Sequence, residues 1–107
     1  MIANTPKPPY YAVIFTSLRT DVDDNYAEMA DRMEELAKLQ DGYLGIEFAR
    51  SGMGITVSYW RDLESIKNWK ANVDHSMAQA KGRKDLYSAY KTRIALVERD
   101  YGFEKEV

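Results

Sequence analysis

His75 is the only imidazole in the 107-residue chain, and it follows Trp69, one of two tryptophans, by six residues in SIKNWKANVDHSMAQAKG (65–82). An imidazole titrates near neutral pH and can accept a proton from a bound substrate. An indole makes a flat pocket wall, and its N–H needs a polar partner when buried. The pair therefore reads as a proton acceptor beside a wall. The plainer alternatives are a surface or helix-tying histidine and a core tryptophan. On one straight helix, at about 100° per residue, His75 lies about 120° from Trp69, on a small-residue line with Ala71, Ala78 and Gly82. A helix break at ANVD, with Asp74 capping a second helix, is the arrangement that turns His75 towards a cleft.

Other side chains suit an anionic ligand. Arg50, Arg83, Arg93 and Arg99 can stabilise an oxyanion or a carboxylate. Arg93 shares the parity of Ala95 and Val97, so a salt bridge within a dimer, with Glu98 as partner, is its other reading. Tyr59, Trp60, Tyr87 and Tyr90 read as pocket lining or interface core. Ser17 can hydrogen-bond a substrate carbonyl, or be satisfied by backbone or water. The glycines of SGMGITV read as hairpin glycines, since a strand and not a helix N-terminus follows them. KGRKD reads as a solvated helix end.

Composition narrows the classes. There is no cysteine, hence no disulfide, thiol nucleophile or thiolate metal site. One histidine excludes an imidazole-rich zinc or copper site within a chain, leaving only a lone axial ligand. No metal is expected. Seventeen acidic and 15 basic residues give a formal charge of -2, without the basic footprint of a nucleic-acid binder. No signal-peptide pattern opens the chain and no apolar run approaches the ~20 residues of a membrane span. A soluble cytoplasmic protein is expected.

The elements that must position these residues follow from periodicity. Residues 1–9 hold all three prolines and read as an extended, flexible lead-in to one domain over 10–103, with a tail at 104–107. Tyr10–Arg19 reads as a strand. The helix after it carries Tyr26, Met29, Ala30, Met33, Leu36 and Ala37 on one stripe, with Asp23 or Asp24 as cap and Gly42 as terminator. Tyr43–Ser51 and Met53–Trp60 form a hairpin. Asp62 or Ser65 starts a helical region whose apolar stripe is Leu63, Ile66, Trp69, Val73, Met77 and Ala80. A last strand falls near Tyr90 to Tyr101. The order β-α-β-β-α-β predicts an α+β ferredoxin-like sandwich with both helices on one sheet face. Apolar residues nevertheless occur at both parities of the strands. The pattern thus predicts a homodimer packed sheet against sheet.

The stretches GYLGIEFAR, GITVSYWRDLESIKNWKANVDHSMAQAKGR and YSAYKTRIALVERDYGF resemble the antibiotic-biosynthesis monooxygenase superfamily of dimeric α+β barrels, in a bacterial subgroup mostly of unassigned function. The resemblance spans about Tyr10 to Phe103. It implies a pocket between sheet and helices for a small aromatic, polyketide-like or quinol-like substrate. It also implies oxidation by molecular oxygen with no metal, flavin or haem, the deprotonated substrate itself supplying the electrons. Such chemistry asks for a closed, mostly apolar cavity of at least ~300 Å³ near Trp69. Here His75 would take the phenolic proton. The haem-degrading members use an asparagine, a tryptophan and a histidine. Trp69 matches the tryptophan, but the asparagine position falls near Thr16 or Ser17, neither an asparagine, and the histidine position near Gln79, one turn after His75. Haem binding and a ligand-binding or stress-related role without turnover are the alternatives.

Overall fold

The computed structural model describes residues 1–21, 26–79 and 86–106, and the side chains of all of these except 76–79. Six elements run in the expected order: β1 (Tyr10–Arg19), α1 (Tyr26–Lys38), β2 (Tyr43–Ser51), β3 (Met53–Trp60), α2 (Leu63–Gln79) and β4 (Tyr87–Val97). The sheet has the order β2-β3-β1-β4, with every neighbouring pair antiparallel. This is the ferredoxin-like arrangement.

Strand register fixes which residues share a face. Tyr11, Val13, Phe15 and Ser17 of β1 stand opposite Trp60, Ser58, Thr56 and Gly54 of β3. This face carries the helices: Trp60, wholly buried, forms the core with Ala37 of α1 and Ile66 of α2, and Tyr11, Val13, Tyr43 and Trp69 pack around them. The Trp60 indole N–H is satisfied by the buried Ser58 hydroxyl at 2.9 Å, so this large aromatic is buried without a lost hydrogen bond.

The opposite face carries Ala12, Ile14, Thr16 and Leu18 against Tyr59, Val57, Ile55 and Met53, and no described helix packs on it. Leu18, Met53 and Ile55 are 46%, 49% and 40% exposed, so a row of aliphatic side chains faces outward. At the far end Tyr59 donates to Glu47 at 2.6 Å, and the Ala3 amide donates to the other Glu47 oxygen at 2.8 Å. The lead-in is thus tied to the sheet at Ala3.

Two junctions set the helices. Asp62 caps α2, accepting from the Ser65 amide at 2.8 Å and the Ser65 hydroxyl at 2.6 Å. Gly42, at φ +89°, makes the turn into β2 and lies where a Cβ would collide with the buried Ser65 side chain.

Two expectations are corrected. β4 runs from Tyr87 to Val97, starting and stopping earlier than Tyr90 to Tyr101. Its partner β1 begins at Tyr10, directly after two prolines that cannot donate to a ladder, and Tyr10 pairs with Val97, so β4 has no partner beyond it. The helix break at ANVD is also absent. α2 runs unbroken through Asn72–Asp74, and the Asp74 carboxylate pairs with Lys70 one turn back at 2.7 Å instead of capping a new helix. The expected caps Asp23 and Asp24, with Gly82 and Arg83, lie outside the described residues.

Candidate active site

The sheet register lines up Arg50 of β2, Gly54 of β3, Ser17 of β1 and Tyr90 of β4 as one row across the helix-bearing face. Arg50 belongs to an edge strand and is exposed, with nothing in its position to stop it extending freely into water. Its side chain instead lies back over Gly54 and donates to the Ser17 hydroxyl, two strands away, at 2.6 Å. A Cβ at position 54 would overlap the guanidinium, so only glycine leaves this path open. Ser17 is 2% exposed, which places one end of the guanidinium contact inside the fold. A longer contact of 3.5 Å joins Arg50 to the Gly52 carbonyl.

Aromatic rings gather beside this cation. Phe15 contacts Tyr87 and Tyr90 at ring-centroid distances of 5.5 and 5.4 Å. Tyr26, at the start of α1, meets Tyr87 at 6.0 Å, and the Tyr87 hydroxyl donates to the Tyr26 hydroxyl at 3.2 Å. Arg19 lies 3.6 Å over the Tyr26 ring and Arg50 6.0 Å from it. Burial, with the Tyr26 hydrogen bond second, pushes the Tyr87 phenol well above its ordinary range, although both guanidiniums pull the other way. Tyr87 therefore stays a neutral phenol at physiological pH. The ensemble is a partly exposed cluster of two guanidiniums and four aromatic rings beside the start of α1, chemically suited to a flat ligand carrying negative charge.

Of the expected site residues, Ser17, Arg50, Tyr87 and Tyr90 come together here. The others do not. Trp69 stacks on Trp60 with centroids 5.8 Å apart and planes at 24°, at the opposite end of the sheet, where Trp60 faces Tyr11. Tyr59 points to the open face, in edge contact with Tyr10 at 5.7 Å, and burial, then Glu47, raises its pKa. Arg93 is exposed and pairs in register with Ile14, on that same face. His75 is exposed on the unbroken α2. A shallow depression of about 220 Å³ is lined by Ser17 and Tyr90 of this row together with Thr16, Leu18, Met53, Ala89 and Lys91, with Trp69 absent from its lining.

Three residues of the cleft escape a reading by residue type. Gly54 reads as hairpin glycine, but the turn belongs to Gly52 (φ +80°), and Gly54 is buried inside β3. An isolated glycine within a strand pattern is itself the sign of a close approach. Tyr26 reads only as a member of the α1 apolar stripe, and Phe15 only as part of the first strand. Haem finds little support here: the asparagine that the resemblance implies near Thr16 or Ser17 is absent, and the sole imidazole is exposed. Among the described residues no cluster of three or more potential metal ligands occurs, and no helix is long and apolar enough to cross a membrane.

Fold, sheet order and sequence relatives define the class: the chain belongs to the antibiotic-biosynthesis monooxygenase superfamily. It is 44% identical over 106 residues to the uncharacterized protein YqjZ of Bacillus subtilis, covering 97% of this chain and 93% of that one. It is 34% identical over 93 residues to Jasmonate monooxygenase ABM of Pyricularia oryzae, covering 81% of this chain and 43% of that protein, so it spans less than half that relative's length. Among solved structures, a mutant of SnoaB, a cofactor-independent oxygenase from Streptomyces nogalater, matches with a TM-score of 0.68 over 85% of this chain and 95% of that one. At 10% identity that likeness concerns the fold. No family model matches the chain.

Proposed function

We propose that this chain is a cofactor-independent monooxygenase whose substrate, a small electron-rich aromatic or quinol-like molecule, lies in the cleft against Phe15, Tyr87 and Tyr90. The observation that carries the reading is the Arg50 guanidinium fixed beside this aromatic cluster at the Ser17 end of the sheet. A fixed cation next to an acidic C–H or O–H favours the substrate anion and lowers the energy of losing that proton.

The chemistry balances without a cofactor. The substrate loses a proton, from the methylene of an anthrone or the hydroxyl of a quinol, and the anion's carbon (the methylene carbon, or the C–H carbon ortho to the quinol oxygen) passes electrons to O₂ and forms a C–O bond as a peroxide. Loss of water then breaks the O–O bond and leaves a carbonyl. One oxygen atom ends in the product and the other in water. The protein's part is to orient the ring, hold the anion and exclude bulk solvent. A second copy of the chain covering the open sheet face belongs to the same reading.

The test is to bind a panel of anthrones, quinols and jasmonate to the protein without oxygen, then admit air-saturated buffer. One O₂ consumed per substrate oxidised is expected for at least one anthrone or quinol. Tight binding of these compounds with no uptake above the uncatalysed rate would leave a ligand-binding protein instead.

A further inference from the structure

We infer that Arg50, laid across Gly54 and held by Ser17, is the binding site for a planar oxyanion of the ligand, either a carboxylate or a phenolate or enolate oxygen. Gly54 and Ser17 are its positioning residues. This deepens the reading above and rests on its placement of the ligand in the cleft.

Three observations carry it. The first is the cradle: three consecutive positions of one cross-strand row combine a long cationic side chain, a residue with no side chain, and a buried hydroxyl, and the guanidinium fills the space a Cβ would take. The second is the partner set. Arg61, exposed near the start of α2, is held by the carboxylates of Asp41 and Asp62 at 3.0 and 3.1 Å. Arg50 is held by a neutral hydroxyl and a carbonyl, and among the described residues no carboxylate pairs with it. Both arginines are exposed, but Arg50 is oriented by one short hydrogen bond to a neutral group, so N–H donors remain for a ligand. The third is the surroundings. The Tyr26 ring, the Phe15–Tyr87–Tyr90 cluster and a second cation, Arg19, border the same space, so a flat ligand on the rings presents its oxyanion to a guanidinium that needs no reorganisation. A surface salt-bridge arginine would have none of these three features.

The test uses oxygen-free calorimetry on the full chain with 1-naphthoate, its neutral isostere 1-naphthamide, and 1-naphthol. The parent should bind naphthoate about 10-fold more tightly than naphthamide, a preference of the size charge-assisted hydrogen bonds give. Arg50→Met should bind the two alike. Gly54→Ala keeps the charge but fills the cradle, and should lose most of the preference. Ser17→Ala should lose part of it, and if Gly54→Ala does not fold, Ser17→Ala and Arg50→Met carry the test, each checked by circular dichroism. In the third arm, bound 1-naphthol should ionise at lower pH on the parent than on Arg50→Met. Naphthoate preference alone assigns the site to carboxylates, and a naphthol shift alone assigns it to phenolates. Failure of the parent to bind, absence of both effects, or their persistence in Arg50→Met would each overturn the inference. Since no step needs oxygen, an intact anion preference without oxygen uptake would sink the oxygenase reading and leave this site standing.

Discussion

Trp69 of α2 stacks on Trp60 of β3, with ring centroids 5.8 Å apart and planes inclined by 24°. Trp60 is wholly buried and its N–H already has the Ser58 hydroxyl, so this pair is packing at the Tyr11 end of the sheet, away from the cationic cleft. Trp60→Ala should cost about 3–5 kcal/mol in urea unfolding, and Trp69→Ala, only half-buried, roughly half as much. A Trp69→Ala variant of unchanged stability that had lost ligand binding would return Trp69 to the role of pocket wall.

The contrast between the two tryptophans and the Arg50 row marks how far the sequence alone carries. Element order, the hairpin and the helix stripe of α1 follow from period and turn residues, because each depends on local chemistry. The limits of β4 escape such a reading because they are set by β1, a partner at the other end of the chain. Arg50 and Ser17 are readable as polar candidates, but their meeting depends on Gly54, and register is a tertiary property. Trp69 and His75 attract notice as rare residue types, yet helical period already sets them about 120° apart, with Trp69 on the apolar stripe and His75 off it, as the unbroken α2 has them. The charge pairing of Lys70 with Asp74, at helical spacing, is the local sign that α2 continues through ANVD.

The Asp62 cap gives a pH signature. Hydrogen bonds from Ser65, side chain first and then amide, with Arg61 adding to them, hold the Asp62 carboxyl down at about 2, below its ordinary 3.8. A folded-state value below the unfolded one means the cap stabilises the fold above the unfolded value and loses that contribution as pH falls through the folded one. The stability gap between parent and Asp62→Ala should therefore be constant from neutrality to about pH 5 and close on approaching pH 2. Thermal melts across that range decide it: a gap independent of pH would mean the carboxylate charge contributes nothing.

The open face, with Leu18, Met53 and Ile55 outward, should be covered by a second copy. Sedimentation at micromolar concentration should give twice the chain mass. Ile55→Asp, which places a charge in the middle of that face, should give one chain mass with the helix-side core intact by near-ultraviolet circular dichroism. A monomeric parent would contradict the assembly.

His75 is exposed and lies about 120° around α2 from Trp69 at helical spacing. His75→Ala should accordingly change oxygen uptake on an active substrate by less than about 2-fold, whereas a general base is worth about 10² or more. A loss of that larger size, shrinking as pH rises, would put the imidazole in the reaction and require α2 to move.

On the proposed reading, the Arg50 site directs one atom of O₂ into a bound aromatic substrate. The most direct measurement is a turnover in ¹⁸O₂ with an anthrone or quinol that the parent oxidises, followed by mass spectrometry of the product and of the water formed. One labelled oxygen should appear in the product carbonyl and the other in water, and Arg50→Met should be at least about 10-fold slower, since a fixed cation at a developing anion contributes at least that much. Label absent from the product, or an Arg50→Met variant as fast as the parent, would contradict that reading.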